Sequence, residues 1–208
     1  MTRNMIAFNP DEVAWRSFYK LMAGSILPRP IGWISTVDAR GVPNLAPYSF
    51  FNAVCPNPPH VLFCPNVRAD NPKDTLANVR ATGEFVVNIV TQPTAAAMNA
   101  TAADFPPDVD EFAAAGLTRL PSEIVQAPRV AESPIHYECR VTQIIDVSDE
   151  PGGGSVVIGR VLRLHVAEHV LIGNDKIDLA ALEPVGRLAG SSYARINDIF
   201  ELARPPRP

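Results

Sequence analysis

The chain has 208 residues, of which 47% are hydrophobic and 19% are charged, which is ordinary for a globular protein with a sizeable core. Its net charge of −4 gives no electrostatic footprint for nucleic acid or for an anionic membrane. The apolar runs are far shorter than the ~20 residues of a membrane helix, and the first twelve residues lack a signal-peptide core. Composition therefore predicts a soluble, cytoplasmic protein.

The first fifty residues predict one helix followed by a β-hairpin. Residues 11–23 carry apolar side chains at helical spacing, and Gly24 is a suitable helix end. Residues 31–37 form a β-branched and aromatic run, and residues 38–41 are typical of a turn. Residues 44–52 then form a second extended segment, which Pro47 interrupts.

This hairpin concentrates polar and aromatic side chains. We expect Ser35 and Thr36 on the first strand to face Tyr48 and Ser49 on the second. Such a pairing offers hydroxyl groups and backbone amides to a polar ligand beside the ring of Trp33. The alternative is a purely structural role, because most hairpin pairs of this kind belong to a core.

A second candidate site lies at the start of the next helix. Asn71 followed by Pro72 is a favourable helix start, and Gly83 is a favourable end. Arg68, Lys73 and Thr75 then cluster at the helix N-terminus, where free N–H groups and the dipole attract phosphate. A solvated helix cap with incidental cations is the alternative interpretation.

The remaining chain predicts mainly antiparallel strands. Asn88 is the one polar interior residue of a strand over 84–90, so it either bonds to backbone or touches a ligand. Two short helices are expected within residues 93–116, long strands over 135–147 and 155–166, a bulge at Ile144–Ile145 and a helical turn at 178–182. Residues 190–196 read as an edge or ligand-lining segment, and the proline-rich tail 203–208 as flexible. Six or seven such strands in one domain, residues 1–208, favour a closed or nearly closed barrel.

Catalytic and metal-binding patterns are absent from the sequence. The four histidines complete no metal set, and Cys55, Cys64 and Cys139 are expected to be free thiols. No nucleophile motif is present. We therefore predict no metal and no catalytic side chain, which is typical of proteins whose cofactor carries the chemistry.

Several segments together resemble the flavin reductase-like, FMN-binding split-barrel family, especially its flavoredoxin-like branch. They include RPIGWISTVDARGVPNLAPYSFFNAV, NPKDTLANVRATGEFVVNIV, MNATAADFPPDVDEFAAAGL and GRLAGSSYARI, so the resemblance covers about residues 20–200. It implies a mainly β fold, a six-stranded antiparallel Greek-key split barrel with short peripheral helices. It also implies a homodimer with one FMN per subunit near the interface.

The same resemblance implies which residues surround the flavin. They are Ser35 and Thr36 near the flavin; Pro47, Tyr48, Ser49, Phe50, Phe51 and Asn52 along its ring; Arg68, Lys73, Asp74 and Thr75 at its phosphate end; Asn88 and Tyr193 close to it; and Arg29 at the phosphate or a nicotinamide cofactor.

The implied activity is hydride transfer from NADH or NADPH to FMN, with reduced flavin serving a partner monooxygenase or an electron-acceptor protein. A flavoredoxin-like electron-transfer or flavin-storage protein without its own NAD(P)H turnover is the first alternative. A barrel that binds no flavin is the second. The sequence lacks the Rossmann fingerprint that would distinguish NADH from NADPH.

Overall fold

The computed structural model describes residues 4–67, 74–106 and 109–205. The helices within these ranges are α1 (Trp15–Ser25), α2 (Asp74–Thr82), α3 (Ala95–Ala100), α4 (Glu111–Ala114) and α5 (Leu179–Leu182), with a 3₁₀ turn at Glu168–Val170. The strands are β1 (Gly32–Val37), β2 (Pro43–Tyr48), β3 (Phe51–Pro56), β4 (Pro59–Phe63), β5 (Glu84–Ile89), β6 (Arg119–Leu120), β7 (Arg129–Val130), β8 (Ile135–Ser148), β9 (Gly154–Val166), β10 (Leu171–Ile172), β11 (Lys176–Ile177), β12 (Val185–Arg187) and β13 (Tyr193–Arg195). No helix in the described ranges has the length and hydropathy needed to cross a membrane.

Seven strands form one antiparallel sheet in the order β2-β1-β5-β8-β9-β4-β3. Its two edges are consecutive in the chain, because β2 ends at Tyr48 and β3 begins at Phe51. In a flat sheet these edges would lie about 29 Å apart, whereas two intervening residues span at most about 11 Å. The sheet therefore curls until its edges meet. When β2 and β3 are counted as one bent strand, the barrel has the predicted six strands.

The turn between β1 and β2 sets their register. An Asp38 side-chain oxygen accepts hydrogen bonds from the backbone N–H groups of Arg40 and Val42, both 2.8 Å long. This turn places Ser35 opposite Leu45, Thr36 opposite Asn44 and Gly32 opposite Tyr48. The expectation that Ser35 and Thr36 face Tyr48 and Ser49 is therefore wrong, because Asp38 closes a turn that ends at Val42.

Both faces of β1 are covered, and all six of its residues are buried. On the inner face, Ile34 packs in the barrel core with Phe63 and Phe85. On the outer face, Trp33 packs with Met98 of α3 and Phe112 of α4. Helices α3 and α4 therefore cover one side of the barrel wall. The bend between β2 and β3 lies beside the covered area.

Candidate functional site

Three cavities meet at the bend between β2 and β3. The first, here called the large cavity, has a volume of about 630 Å³. A second, of about 140 Å³, shares Tyr19, Pro47 and Ser49 with it. A third, of about 40 Å³, reaches the first turn of α2 and also borders Pro47. Pro47 is thus the common wall of all three, and the bend lies at the centre of the candidate site.

One face of α1 forms a wall of the large cavity. The residues on it recur at helical spacing, as Trp15, Arg16, Tyr19, Lys20 and Ala23. Among the residues of α1, Ala23 alone is buried. The helix therefore lies on the barrel with its aromatic and basic side chains open to the cavity.

Arg29 holds the end of this helix against the barrel. Its side chain is 5% exposed and donates hydrogen bonds to the carbonyl oxygens of Ala23, Ile26 and Leu188. Its Nε also donates to the Ser49 hydroxyl over 3.3 Å. No carboxylate lies within ion-pair distance of Arg29 among the described residues. The hydrogen-bond donors are largely satisfied, but the positive charge is not neutralised.

Arg187 brings a second guanidinium group beside the first. The backbones of Arg29 and Arg187 exchange two hydrogen bonds of 3.0 and 2.9 Å. The guanidinium of Arg187 lies 4.5 Å from the ring centroid of Tyr193 and donates to the Tyr193 hydroxyl. That hydroxyl donates in turn to Asn99 over 3.1 Å. Tyr193 is therefore fixed at the cavity wall by both its ring and its hydroxyl.

The large cavity is positively charged although the chain as a whole is negative. Its described lining includes four cations, Arg16, Lys20, Arg29 and Arg187, and no Asp, Glu, His or Cys. Cys64 borders the second cavity, where burial raises the pKa of its thiol, so the thiol is protonated at neutral pH. The described lining of the large cavity thus suits an aromatic anion and contains no carboxylate, imidazole or thiol.

The start of α2 lies at the opposite end of the site. Asp74 and Thr75 border the small third cavity, and the Thr75 hydroxyl accepts a 2.9 Å hydrogen bond from Asn44. Thr75 is only 1% exposed. Arg68 and Lys73, which the sequence analysis assigned to the phosphate end, lie outside the described residues. The predicted phosphate site at this helix N-terminus therefore stays a prediction.

Among the described residues, five predicted site residues line none of these cavities, and three of the five lie within the barrel wall. Ser35, Thr36 and Asn88 are fully buried. Ser35 donates to the Pro128 carbonyl oxygen, and Thr36 accepts from Asn78 over 3.0 Å. These hydroxyls bond within the protein and offer no surface to a ligand.

Asn88 uses its whole hydrogen-bonding capacity inside the protein. Its amide group donates to the Trp33 carbonyl oxygen and to Ser35, at 3.0 and 3.3 Å. Its oxygen accepts from the Val130 N–H and bonds to His136 Nδ1, both at 2.9 Å. An asparagine side chain has at most two donors and two acceptors, and Asn88 uses all four within the protein. Of the two roles predicted for Asn88, the structural one is therefore favoured over contact with a ligand.

The other predicted residues divide at the bend. Pro47, Tyr48, Ser49 and Phe50 line the cavities. Phe51 instead packs towards the barrel core, and Asn52 is exposed on β3 with its oxygen bonded to the N–H of Ala53. Arg29 and Tyr193 line the large cavity together with Pro47 and Ser49 of the bend.

The basic side chains of the large cavity other than Arg29 were not predicted from the sequence. Arg16 and Lys20 were not predicted because only the apolar residues of their helix were used, and these were expected to form its buried face. The spacing of Trp15, Arg16, Tyr19 and Lys20 on one helix face was the available signal. Arg187 carries no local signal, because only its pairing with Arg29 brings it to the site.

The model of the flavin reductase like domain matches residues 23–177, so the chain belongs to the flavin reductase-like family. Nitrilotriacetate monooxygenase component B from Bacillus cereus is 40% identical, with a TM-score of 0.92 over 97% of this chain and 100% of that one. The 2-nitrobenzoate 2-nitroreductase NbaA of Pseudomonas fluorescens is 30% identical, with a TM-score of 0.86 over 96% of each chain.

The flavoredoxin of Desulfovibrio vulgaris (Miyazaki F) has the same fold at 22% identity. Its TM-score is 0.74 over 86% of this chain and 92% of that one. The predicted family and the predicted mainly β split-barrel fold are both confirmed by these similarities.

Proposed function

We propose that this protein binds FMN and takes hydride from NADH or NADPH, and that the reduced flavin serves a partner oxygenase or another electron acceptor. The observation that carries the proposal is the make-up of the large cavity. It combines aromatic and cationic side chains, and its described lining contains no carboxylate, imidazole or thiol. Such a site binds and orients a reactive cofactor, and bound flavin supplies the hydride and electron-transfer chemistry.

The geometry of the bend supports the position of the flavin ring. Ser49 and Phe50 lie between two strands, outside the ladder pairs of β2 and β3. Backbone amides in such a position are suited to the polar edge of a flavin and to the negative charge that reduction places there. In this arrangement the phosphate reaches the N-terminus of α2, where Asp74 and Thr75 lie and where Arg68 and Lys73 are predicted to contribute.

The relatives support the choice of electron acceptor. The 40% identical protein from Bacillus cereus is a monooxygenase component by its name, which favours an oxygenase as the receiver of reduced flavin. The flavoredoxin supports the alternative of an electron carrier at the level of the fold only. A cytoplasmic location stays a prediction from composition.

We also propose that the protein is a homodimer. On β4 and β9, partly exposed apolar side chains alternate with buried residues, and an exposed isoleucine lies beside them on β8. These outward residues are Leu62, Ile158, Val156 and Ile145, and the strand register places Leu62 opposite Ile158 and Val156 opposite Ile145. An apolar sheet face of this kind is typical of a subunit interface.

The proposed function is tested by a spectrum followed by a reduction experiment. We expect the purified protein to bind FMN more tightly than FAD in an absorbance titration. Anaerobic NADH or NADPH should then bleach the flavin band with steady turnover once an acceptor is added. Flavin that binds without bleaching would replace the reductase with the electron carrier. Failure to bind either flavin would overturn both.

A further inference from the structure

We infer that the large cavity selects NADPH over NADH, and that Arg16 and Lys20 of α1 bind the 2′-phosphate that distinguishes the two. This inference rests on the proposed reductase function and names the electron donor that the same site accepts. It assigns to α1 a role in the choice between NADH and NADPH; the family resemblance offers only Arg29 near a nicotinamide cofactor, and the sequence motifs offer no residue for that choice.

The two side chains are held on the same face of one helix. Arg16 and Lys20 are four residues apart, which places their Cβ atoms about 6 Å from each other. The Arg16 guanidinium lies 4.5 Å from the ring centroid of Trp15, so one side of it is already packed. A stacked guanidinium beside an ammonium group, with the Tyr19 ring next to them, matches a phosphate attached to an aromatic nucleoside.

The other two cations of the cavity are already engaged. Arg29 bonds to three carbonyl oxygens and to Ser49, and Arg187 bonds to Tyr193 and to the Gly190 carbonyl oxygen. Among the contacts of the described residues, Arg16 and Lys20 have no such hydrogen bond and no ion pair. They are therefore the cations of the wall whose donors are available to a ligand.

The charge of the lining decides between the two nicotinamide cofactors. In Rossmann-fold sites an Asp or Glu binds the free ribose 2′-hydroxyl of NADH, whereas an Arg accommodates the 2′-phosphate of NADPH. The same charge preference holds at a site of another fold, because a carboxylate repels a phosphate and a cation attracts it. The described lining of the large cavity has no Asp or Glu and has four cations. A carboxylate there would repel the 2′-phosphate, and its absence together with Arg16 and Lys20 favours NADPH.

The flavin phosphate does not compete for these cations in the proposed arrangement. The flavin ring lies along the bend at Pro47–Phe50, and its phosphate lies towards Thr75 at the start of α2. The third cavity, which reaches Thr75, is lined by neither Arg16 nor Lys20, and because Asp74 and Glu111 border it, a phosphate there depends on the predicted contribution of Arg68 and Lys73. The α1 wall is thus left for the second substrate.

Steady-state kinetics of the FMN-loaded protein test the inference. We expect kcat/KM for NADPH to exceed that for NADH by at least about ten-fold, which corresponds to one charge-assisted contact. Arg16→Ala and Lys20→Ala should each raise KM for NADPH about five-fold, with kcat and the KM for NADH changed less than about two-fold. Arg40→Ala and Lys176→Ala are matched controls, because both residues are exposed and neither lines the cavity.

A binding measurement separates this inference from the proposed function. Adenosine 2′,5′-bisphosphate and 5′-AMP differ only in the 2′-phosphate, and calorimetry should show the bisphosphate binding more tightly to the FMN-loaded protein. Arg16→Ala should remove most of that difference. Equal affinities, or equal efficiencies with NADH and NADPH, would overturn the NADPH site. If the bisphosphate is preferred but neither donor is oxidised, the 2′-phosphate site stands and the reductase function is overturned.

Discussion

Arg29 shows how a single side chain connects the fold to the site. Its guanidinium bonds to Ala23 and Ile26 at the end of α1, to Ser49 at the strand bend and to Leu188 beyond β12. Three segments distant in the sequence thus meet on one planar group. Arg29 was predicted to contact a ligand, and in the structure it also positions the elements that form the cavity.

Replacement of Arg29 by Lys should therefore destabilise the protein. A lysine keeps the charge but has no planar fork that can reach carbonyl oxygens on separate segments. We expect the free energy of unfolding in denaturant to fall by about 1–3 kcal/mol, because buried carbonyl groups lose their donors. Arg40→Lys is the matched control, since Arg40 is exposed at the β1–β2 turn. An Arg29→Lys unfolding midpoint equal to that of the wild type would contradict this role.

His136 gives the protein a predictable pH dependence. Burial, with the nearby charges of Arg129 and His165, lowers the pKa of His136 to about 4, although Glu138 opposes the shift. The unfolded chain, with a His pKa near 6.5, takes up this proton first as the pH falls. The free energy of unfolding should thus decrease by about 2 kcal/mol between pH 7 and pH 5.

Denaturant unfolding at several pH values measures this effect. The His136→Asn variant removes the titrating group and should show a flatter pH dependence over the same interval. His169→Asn, at an exposed position, should retain the wild-type slope. Parallel pH profiles for the wild type and His136→Asn would show that another group is responsible.

At the scale of elements, local patterns predicted most of the fold. Gly83 was expected to end a helix, and it has a φ of +70° with its N–H bonded to Val79 at the end of α2. The two short helices of residues 93–116 and the helical turn near 180 are present as α3, α4 and α5. The predicted bulge at Ile144–Ile145 is displaced, because the register shifts fall on either side of it, at 141–143 and 146–148. The alternation of apolar and polar residues shows that β8 contains a bulge, but the hydrogen-bonded pairing with β9 determines at which residues it lies.

Helix α1 shows where local pattern fails. Leu21 is 45% exposed, although helical spacing predicted that it belongs to a buried apolar stripe. The helix also begins later than expected, at Trp15 rather than at residue 11. Periodicity reports that a helix is amphipathic, but it does not show how closely the helix packs. Here the contacts at its end, made by Arg29, determine its position.

The seam of the barrel depends on Gly32 of β1. A Cβ atom at this position would lie 2.6 Å from Cδ2 of Phe51, the first residue of β3. Gly32→Ala should push Phe51 aside and distort the bend beside the cavity. We expect a loss of about 1–3 kcal/mol in the free energy of unfolding, together with weaker FMN binding in the absorbance titration.

Two further variants test this explanation of Gly32. Phe51→Leu in the Gly32→Ala background should recover part of the lost stability, because the clash involves the ring. Gly24→Ala in α1 is the matched control, since its nearest neighbour would be 3.9 Å away and alanine favours a helix. Equal losses for Gly32→Ala alone and in the double variant would show that the ring of Phe51 is not the cause.

At the scale of the whole molecule, closure of the barrel was predictable but the cavity was not. Strand number and alternation indicate a barrel, and the two-residue link between β2 and β3 forces its edges together. The large cavity draws on α1, on Arg29, on the bend at Pro47–Ser49 and on residues 187–193. The cavity is positively charged because the fold brings together four cations that do not occur within one short stretch of the sequence.

The proposed homodimer is open to a direct test at the outward face of β8. Ile145 is 41% exposed and lies opposite Val156 in the sheet. A lysine at position 145 keeps its charge in water in the monomer, but it would bury that charge without a partner in an apolar interface. We therefore expect Ile145→Lys to shift the mass measured by sedimentation from dimer towards monomer, with an unchanged far-ultraviolet circular dichroism spectrum. Because the flavin is proposed to lie near the interface, FMN affinity should fall in parallel.

The matched control is Ile172→Lys, which introduces the same charge at an isoleucine of β10 that is 53% exposed and outside the main sheet. This variant should remain dimeric and bind FMN as the wild type does. A wild-type protein that sediments as a monomer would contradict the homodimer itself. An Ile145→Lys protein that stays dimeric would instead move the interface away from this face of β8. In both cases the apolar surface formed by Leu62, Ile158, Val156 and Ile145 would need another explanation.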